Sequence, residues 1–138
     1  MLDEIIKNKL KEVSQLKSSF DISKIDVSAP KKPFYETLLL RQGNKKNSII
    51  AEIKKRSPSK GILDSSLNVS EKAIQYEAGG ASCLSVLTEK DYFNGSIDDL
   101  LVAKKSVNLP VLRKDFIIDP LHCLLYTSPS PRDLSTPR

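Results

Sequence analysis

The feature that most constrains this chain is a repeated order of strand, loop and helix in its middle part. Strand-like segments begin near residues 48, 83 and 109 of the 138-residue sequence, and helical segments follow the first two. Strands that alternate with helices along a chain are typical of βαβ units, whose strands run parallel. The sequence therefore predicts an α/β fold with a parallel sheet.

The bounds of these segments follow from apolar patterning. The first strand is expected over Ser48–Lys54, where a nearly continuous apolar run is typical of a strand covered on both faces. The other strands are expected over 81–88 and 109–116, and helices over 70–78 and 96–106.

Polar residues mark where these two helices begin. Asn68 or Ser70 can cap the first, and Ser96 with Asp99 has the spacing of a capping box for the second. A long loop from Lys55 to about Val69 precedes the first helix.

The N-terminal part has a helical pattern instead. Apolar residues at helical spacing predict an amphipathic helix over 2–17, and a short helix is expected over 34–40. The polar segment 18–32 is predicted to be an irregular connector. At the other end, residues 126–138 hold three of the eight prolines and are predicted to be disordered.

Charge and composition limit the function classes. Lysine and arginine number 22 against 17 acidic residues, which gives a net charge of +5. A basic balance fits nucleic acid or an anionic small molecule. The lysines are scattered and tryptophan is absent, so a stacking platform for single strands is poorly supported. A small basic nucleic-acid-binding module without enzymatic activity stays an alternative.

Location is expected to be cytoplasmic. No apolar run approaches the roughly 18–20 residues needed to cross a bilayer, and no signal peptide is visible after Met1. Cys83 and Cys123 are too few for a disulfide framework. The single His122 argues against histidine-based triads and metal sites.

Candidate chemistry lies at the ends of the strands. Glu52 and Lys54 are two residues apart on the first strand, so their side chains point to the same side, and Lys114 lies near the end of the third strand. Ligands of parallel α/β folds sit at this edge of the sheet. Such a group can bind a carboxylate or phosphate and move protons. The alternative is that these charges are simply solvated or paired.

For several residues near Glu52, Lys54 and Lys114, the sequence allows more than one role. Arg113 and Asp115 have the opposite facing and are expected to serve structure, as an ion pair or a loop contact. The segment Ser57–Gly61 is not a Walker loop and reads as a basic turn. Phe93 and Phe116 are either core residues or walls of an aromatic pocket.

Several motifs, in the same order along the chain, resemble one enzyme family. Residues 51–61, AEIKKRSPSKG, closely resemble the signature of indole-3-glycerol-phosphate synthase, and the likeness continues through 76–81, 85–89, 92–96 and 109–120. The resemblance covers residues 1 to about 121, with 1–47 matching more loosely.

This resemblance implies a (β/α)8 TIM barrel with an N-terminal helical extension. It implies ring closure, decarboxylation and dehydration of 1-(2-carboxyphenylamino)-1-deoxyribulose 5-phosphate to indole-3-glycerol phosphate, a lyase reaction of tryptophan biosynthesis. It implies no metal or organic cofactor, no nucleic acid and no membrane. A second tryptophan-pathway domain fused in the full gene is possible within the family.

Residue roles follow from the same resemblance. Lys114 resembles the general acid, Lys54 the lysine that meets the substrate carboxylate, and Glu52 the carboxylate that orients the substrate; how the two lysines divide the acid and base roles stays open. The residues that resemble substrate contacts are Ser57, Ser85, Leu87, Phe93 and Phe116.

The chain departs from the family in length. A TIM barrel takes about 250 residues, so the expected organisation is 1–47 as the helical extension, 48–122 as the first three βα units, and 123–138 as a disordered, artefactual tail resembling translated adapter DNA. A barrel truncated after about the third strand is expected to be inactive. Phosphoribosylanthranilate isomerase, another phosphosugar barrel, is an alternative that Glu52, Lys54 and Lys114 speak against.

Overall fold

A computed structural model describes residues 1–19 and 32–124. These residues belong to two compact units, one within Met1–Lys31 and Phe116–Arg138 and the other Lys32–Asp115. Most of the predicted connector and the predicted tail from residue 125 onward lie outside the described residues. Within the described part, no helix has the length and apolar character needed to span a membrane.

The first unit contains two helices that pack on each other, α1 (Leu2–Ser19) and a short C-terminal helix, Pro120–Leu124. An ion pair of 3.0 Å between Lys17 Nζ and Asp119 Oδ2 joins their ends. The first helix continues two residues beyond the predicted end at residue 17, and Ser18 and Ser19 there donate to the Gln15 carbonyl at 2.7 and 3.1 Å. The helix at Pro120–Leu124 includes residues 123 and 124, so the prediction that the disordered tail begins at residue 123 is wrong for these two residues.

The second unit contains the sheet and three helices. In chain order its elements are α2 (Phe34–Gly43), β1 (Ile50–Ile53), β2 (Arg56–Ser57), β3 (Gly61–Ile62), α3 (Val69–Ala78), β4 (Cys83–Leu87), α4 (Ile97–Ser106) and β5 (Val111–Lys114), and the helix at Pro120–Leu124 is α5. The strands β1, β4 and β5 form a parallel sheet in the order β1-β4-β5. The predicted α/β class and its three parallel strands are confirmed.

Side-chain caps set the beginnings of α3 and α4. Asn68, not Ser70, caps α3, because its Oδ1 accepts from the Glu71 amide at 3.2 Å. Ser96 Oγ accepts from the Asp99 amide at 3.0 Å and caps α4, as the sequence predicts. Each cap satisfies one amide that the first turn of a helix would otherwise leave without a partner.

The two faces of the sheet have different surroundings. Residues in register across a parallel sheet point to the same side, and successive residues alternate. One face carries Ile53, Val86 and Arg113, which are in register, and α3 and α4 pack on the sheet and on each other. The opposite face carries Glu52 and Ser85, which are in register with each other, and also Leu87 and Lys114, which form the next pair along the sheet. Helix packing on one face explains why Leu84 and Val86 are almost fully buried.

The prediction that the first strand is covered on both faces is wrong. Ile49 and Ile50 are 54% and 47% exposed, whereas all five residues of β4 are buried. The reason is strand order, since β1 lies at an edge of the described sheet and β4 lies at its centre.

The loop expected from residue 55 to 69 contains a small hairpin. Arg56 pairs with Ile62 and Ser57 with Gly61 in an antiparallel ladder between β2 and β3. Gly61 has a φ of 68°, a left-handed conformation that a residue without Cβ adopts at little cost. Two-residue strands are too short for apolar alternation to reveal them.

Candidate active site

Glu52 lies between two lysines at the carboxyl edge of the sheet. Lys54, the residue after β1, places its Nζ 2.8 Å from Glu52 Oε1, and Lys114 at the end of β5 places its Nζ 2.5 Å from Glu52 Oε2. The Tyr76 hydroxyl from α3 donates to the Glu52 carbonyl at 3.2 Å and fixes this end of β1. The three side chains that the sequence predicts to converge do so.

The electrostatics of this cluster favour an anion. One carboxylate stands between two ammonium groups, so a positive charge remains unbalanced within the cluster. Partial burial raises the pKa of the Glu52 carboxyl, but the hydrogen bonds and charges of Lys114 and Lys54 outweigh burial and hold the pKa below its usual value. Glu52 therefore stays ionised at neutral pH and keeps both lysines in place.

Two further predicted residues share this face of the sheet. Ser85 lies opposite Glu52 in the β1–β4 ladder, and Leu87 lies opposite Lys114 in the β4–β5 ladder. Both are buried, and Ser85 Oγ has no hydrogen-bond partner among the described residues. A buried hydroxyl without a protein partner is available to a ligand.

The other predicted residues have different positions. Ser57 is buried in the β2–β3 hairpin, where its Oγ accepts from the Lys60 amide at 3.3 Å. Phe93 is half-buried in the loop between β4 and α4, and Phe116 is half-buried in the first unit. Ser57 thus has a structural partner of its own, and the substrate contacts of all three residues stay predictions.

A buried glutamate organises the loop between β4 and α4. Glu89 is 2% exposed, and its carboxylate accepts from the amides of Asp91 at 3.0 Å, Tyr92 at 2.7 Å and Phe93 at 3.0 Å. Its carbonyl also accepts from the Gly95 amide at 2.8 Å. Sequence reasoning missed this residue. Its only signal in the sequence is an acidic residue two positions after a buried strand, where a polar loop begins.

The same loop closes tightly against the end of β4. A Cβ on Gly95 would lie 2.2 Å from the Leu87 carbonyl oxygen and 2.9 Å from Thr88 Cα, so only glycine fits. Asn94 before it has a φ of 54°, a conformation that asparagine tolerates better than most residues. These contacts bring the loop backbone directly onto the strand.

The helix-covered side of the same sheet edge holds a second polar group. Arg113 donates to Thr88 Oγ1 at 2.8 Å and to Asp115 Oδ2 at 2.7 Å, and the Thr88 hydroxyl donates to the same Asp115 oxygen at 2.7 Å. The Arg113 and Asp115 side chains are 7% and 0% exposed. The predicted structural ion pair is confirmed, and it ties β5 to β4.

Two basic residues after β1 contact the segment that follows β4. Lys55 Nζ lies 2.8 Å from both carboxylate oxygens of Asp99, near the beginning of α4. Arg56 donates to the Asp91 carbonyl at 3.2 Å. The basic residues after β1 therefore serve the arrangement of neighbouring loops, in addition to the charge of this edge.

A parallel α/β sheet with a carboxylate and two lysines at its carboxyl edge has the layout of the α/β enzymes that react at strand ends. A family model for indole-3-glycerol phosphate synthase matches residues 2–125. The chain belongs to the indole-3-glycerol phosphate synthase family, whose fold is a TIM barrel. The family resemblance found in the sequence motifs is confirmed.

One curated relative shows the extent of this similarity. Indole-3-glycerol phosphate synthase 2 from Ralstonia nicotianae (strain ATCC BAA-1114 / GMI1000) is 44% identical over 124 residues. The match covers 87% of this chain and 46% of the relative, so the chain spans just under half of the relative's length. Among the alternatives raised by the sequence, family membership favours the synthase over the isomerase and the nucleic-acid module.

Proposed function

We propose that this chain provides the first part of an indole-3-glycerol-phosphate synthase active site. The complete barrel closes the ring of 1-(2-carboxyphenylamino)-1-deoxyribulose 5-phosphate and releases carbon dioxide and water. The single observation that carries this proposal is Glu52 held between Lys54 and Lys114 at the carboxyl edge of the sheet. Family membership supports the assignment of this reaction.

The roles of the three residues follow from charge and proton chemistry. Lys114 is the general acid, which donates a proton to the substrate ketone oxygen as the new carbon–carbon bond forms. Lys54 meets the anthranilate carboxylate and assists the later dehydration. Glu52 orients the substrate, and its negative charge allows two ammonium groups to share one edge of the sheet.

The remaining contacts form a pocket for the aromatic ring and the sugar. Ser85 supplies a buried hydroxyl beside Glu52, and Leu87 supplies apolar surface beside Lys114. Phe93 walls the ring pocket, and Ser57 contacts substrate from the hairpin. For Phe116, a contact with the ring is what the family resemblance implies. An anionic, aromatic substrate needs both cations and apolar walls, which these residue types provide.

The described sheet supplies three parallel strands, and a TIM barrel has eight. We propose that the 138 residues alone have no turnover, because a closed barrel is needed to surround the substrate.

A hybrid enzyme tests this function. In this hybrid barrel, residues 1–120 of the chain are followed by the remaining part of the Ralstonia nicotianae relative. We expect the hybrid barrel to form indole-3-glycerol phosphate, measured by the fluorescence of the new indole, and the 138-residue chain to form none. A folded hybrid barrel without turnover contradicts the proposed function, and turnover by the 138 residues contradicts the need for closure.

A further inference from the structure

We propose that Glu89 is a positioning residue, which holds the loop between β4 and α4 so that Phe93 can wall the ring pocket. The inference rests on the proposed function for what Phe93 contacts, but the loop geometry stands by itself. Glu89 lies two residues after Leu87, the last residue of β4, and so stands at the same edge of the sheet as the Glu52 cluster. It touches no substrate in this role and acts through the backbone of residues 91–93.

The carboxylate replaces hydrogen bonds that the loop cannot make for itself. Glu89 Oε2 accepts from the amides of Tyr92 and Phe93 at 2.7 and 3.0 Å, and Oε1 accepts from the Asp91 amide at 3.0 Å. Three successive amides thus point at one buried side chain. Without it, these amides need water or a different backbone conformation, since buried amides are rarely left without an acceptor.

Charge and length both matter at this position. A carboxylate offers acceptor sites on both oxygens, whereas glutamine offers one oxygen and an NH2 group that only donates. Glu89→Gln keeps the shape of the side chain but retains only the hydrogen bonds that its single oxygen accepts. Glu89→Ala removes all three bonds and leaves space behind the loop.

The position of Phe93 depends on this clamp. Phe93 is the last of the three residues whose amides Glu89 holds, and the chain returns to β4 two residues later at Gly95. The Gly95 amide binds the Glu89 carbonyl, so the loop is fixed at both its ends by the same residue. Release of the carboxylate contacts therefore removes a restraint on the backbone at Phe93, while the return at Gly95 stays in place.

Amide hydrogen exchange in the hybrid barrel tests the clamp without reference to turnover. Glu89→Ala is expected to increase exchange at residues 91–93 at least about tenfold, the change that loss of one hydrogen bond can produce, and Glu89→Gln less. The matched control is Glu77→Ala, because Glu77 accepts from a single loop amide, that of Asn108, at 2.9 Å. The control should change exchange at Asn108 and leave 91–93 unchanged. Unchanged exchange at 91–93 in folded Glu89→Gln overturns the proposal.

Steady-state kinetics test the link to Phe93. Glu89→Ala and Phe93→Ala are each expected to raise KM about tenfold and to leave kcat within twofold of the parent. The reason is that the ring pocket loses the binding free energy of about one contact with the substrate. The double variant should resemble Phe93→Ala alone, since Glu89 acts through Phe93. Additive effects, or a loss of kcat with unchanged KM, overturn the positioning role. An inactive parent hybrid contradicts the proposed function, and the exchange measurement still decides the clamp.

Discussion

Both faces of the sheet carry charged side chains at the same edge, but the two sets of side chains differ in burial and in how their charges are paired. On the helix-covered face, Arg113 and Asp115 are buried and bonded to each other and to Thr88. On the opposite face, the Lys54 and Lys114 side chains are 33% and 54% exposed and share the single carboxylate of Glu52. Neighbouring residues of one strand, Arg113 and Lys114, thus enter different environments.

This difference separates charges that hold the fold from charges that can meet a ligand. A buried pair with several hydrogen bonds has little left to offer a substrate, and breaking it is costly. A partly exposed cluster with excess positive charge can exchange its contacts for those of an anion. Both sides of this comparison can be tested in the hybrid barrel.

The largest effect is expected from Lys114→Ala. Loss of the general acid should reduce kcat by about 10²–10⁴-fold, with little change in the free energy of unfolding because the side chain is half exposed. Stopped assays of indole product give kcat, and urea unfolding gives stability. Lys104→Ala, an exposed lysine in the last turn of α4, is the control and should leave both unchanged. A near-normal kcat would remove Lys114 from the acid role.

Arg113→Ala should show the reverse pattern. Removing one partner leaves the buried Asp115 carboxylate without its guanidinium, which lowers the free energy of unfolding by about 3–5 kcal/mol. The kcat of the protein that remains folded should stay within a few-fold of the parent. Urea titration combined with an active-site count separates the two quantities. A stable variant with a large loss of kcat would assign Arg113 to the chemistry instead.

A smaller effect concerns the pH dependence of stability. The folded-state pKa of Glu52 is held below its ordinary value of 4.5, so its ion pairs stabilise the fold above that pH and are lost as pH falls through the folded-state pKa. Glu52→Gln should therefore lose less stability than the parent on acidification. The measurement is the urea midpoint between pH 7 and pH 3. If the urea midpoints of the two proteins changed in parallel between pH 7 and pH 3, the assignment would be contradicted. Between pH 7 and pH 9, the two midpoints are expected to change in parallel.

The smallest effect on stability is expected from Ser85→Ala. Ser85 Oγ is buried without a hydrogen-bond partner among the described residues, so its removal should change the free energy of unfolding by less than about 1 kcal/mol. If substrate uses this hydroxyl, KM rises several-fold while stability is kept. Ser82→Ala is the matched control, because Ser82 Oγ accepts from the Ile49 amide at 3.1 Å and its loss should cost stability instead. Unchanged KM in Ser85→Ala would exclude substrate contact there.

Much of the fold could be predicted because local signals agree with the tertiary structure. Asn68 and Ser96 begin helices through their own side chains, and β4 is a short apolar run that the centre of a sheet requires. The exposure of Ile50 could not be predicted in this way, because it depends on which strands lie beside β1 and not on β1 itself.

The candidate site was predictable to the same extent. The spacing of Glu52 and Lys54 fixes their common side, and the shared edge of parallel strands adds Lys114. The role of Glu89 was not predictable, since its partners are backbone amides, which every residue except proline carries. Loop conformation decides such contacts, and apolar periodicity gives no information about it.

The register between β4 and β5 has a consequence for how the sheet assembles. If β5 shifted by one residue, Lys114 would enter the helix-covered side, and Arg113 would leave the oxygens of Thr88 and Asp115. Lys114 would then be desolvated on the helix-covered side without an anion beside it, whereas Arg113 would reach the partly exposed face that carries Glu52. The alternating charges at the end of β5 therefore disfavour a shifted register, because only the native pairing gives both Arg113 and Lys114 the carboxylates they bind.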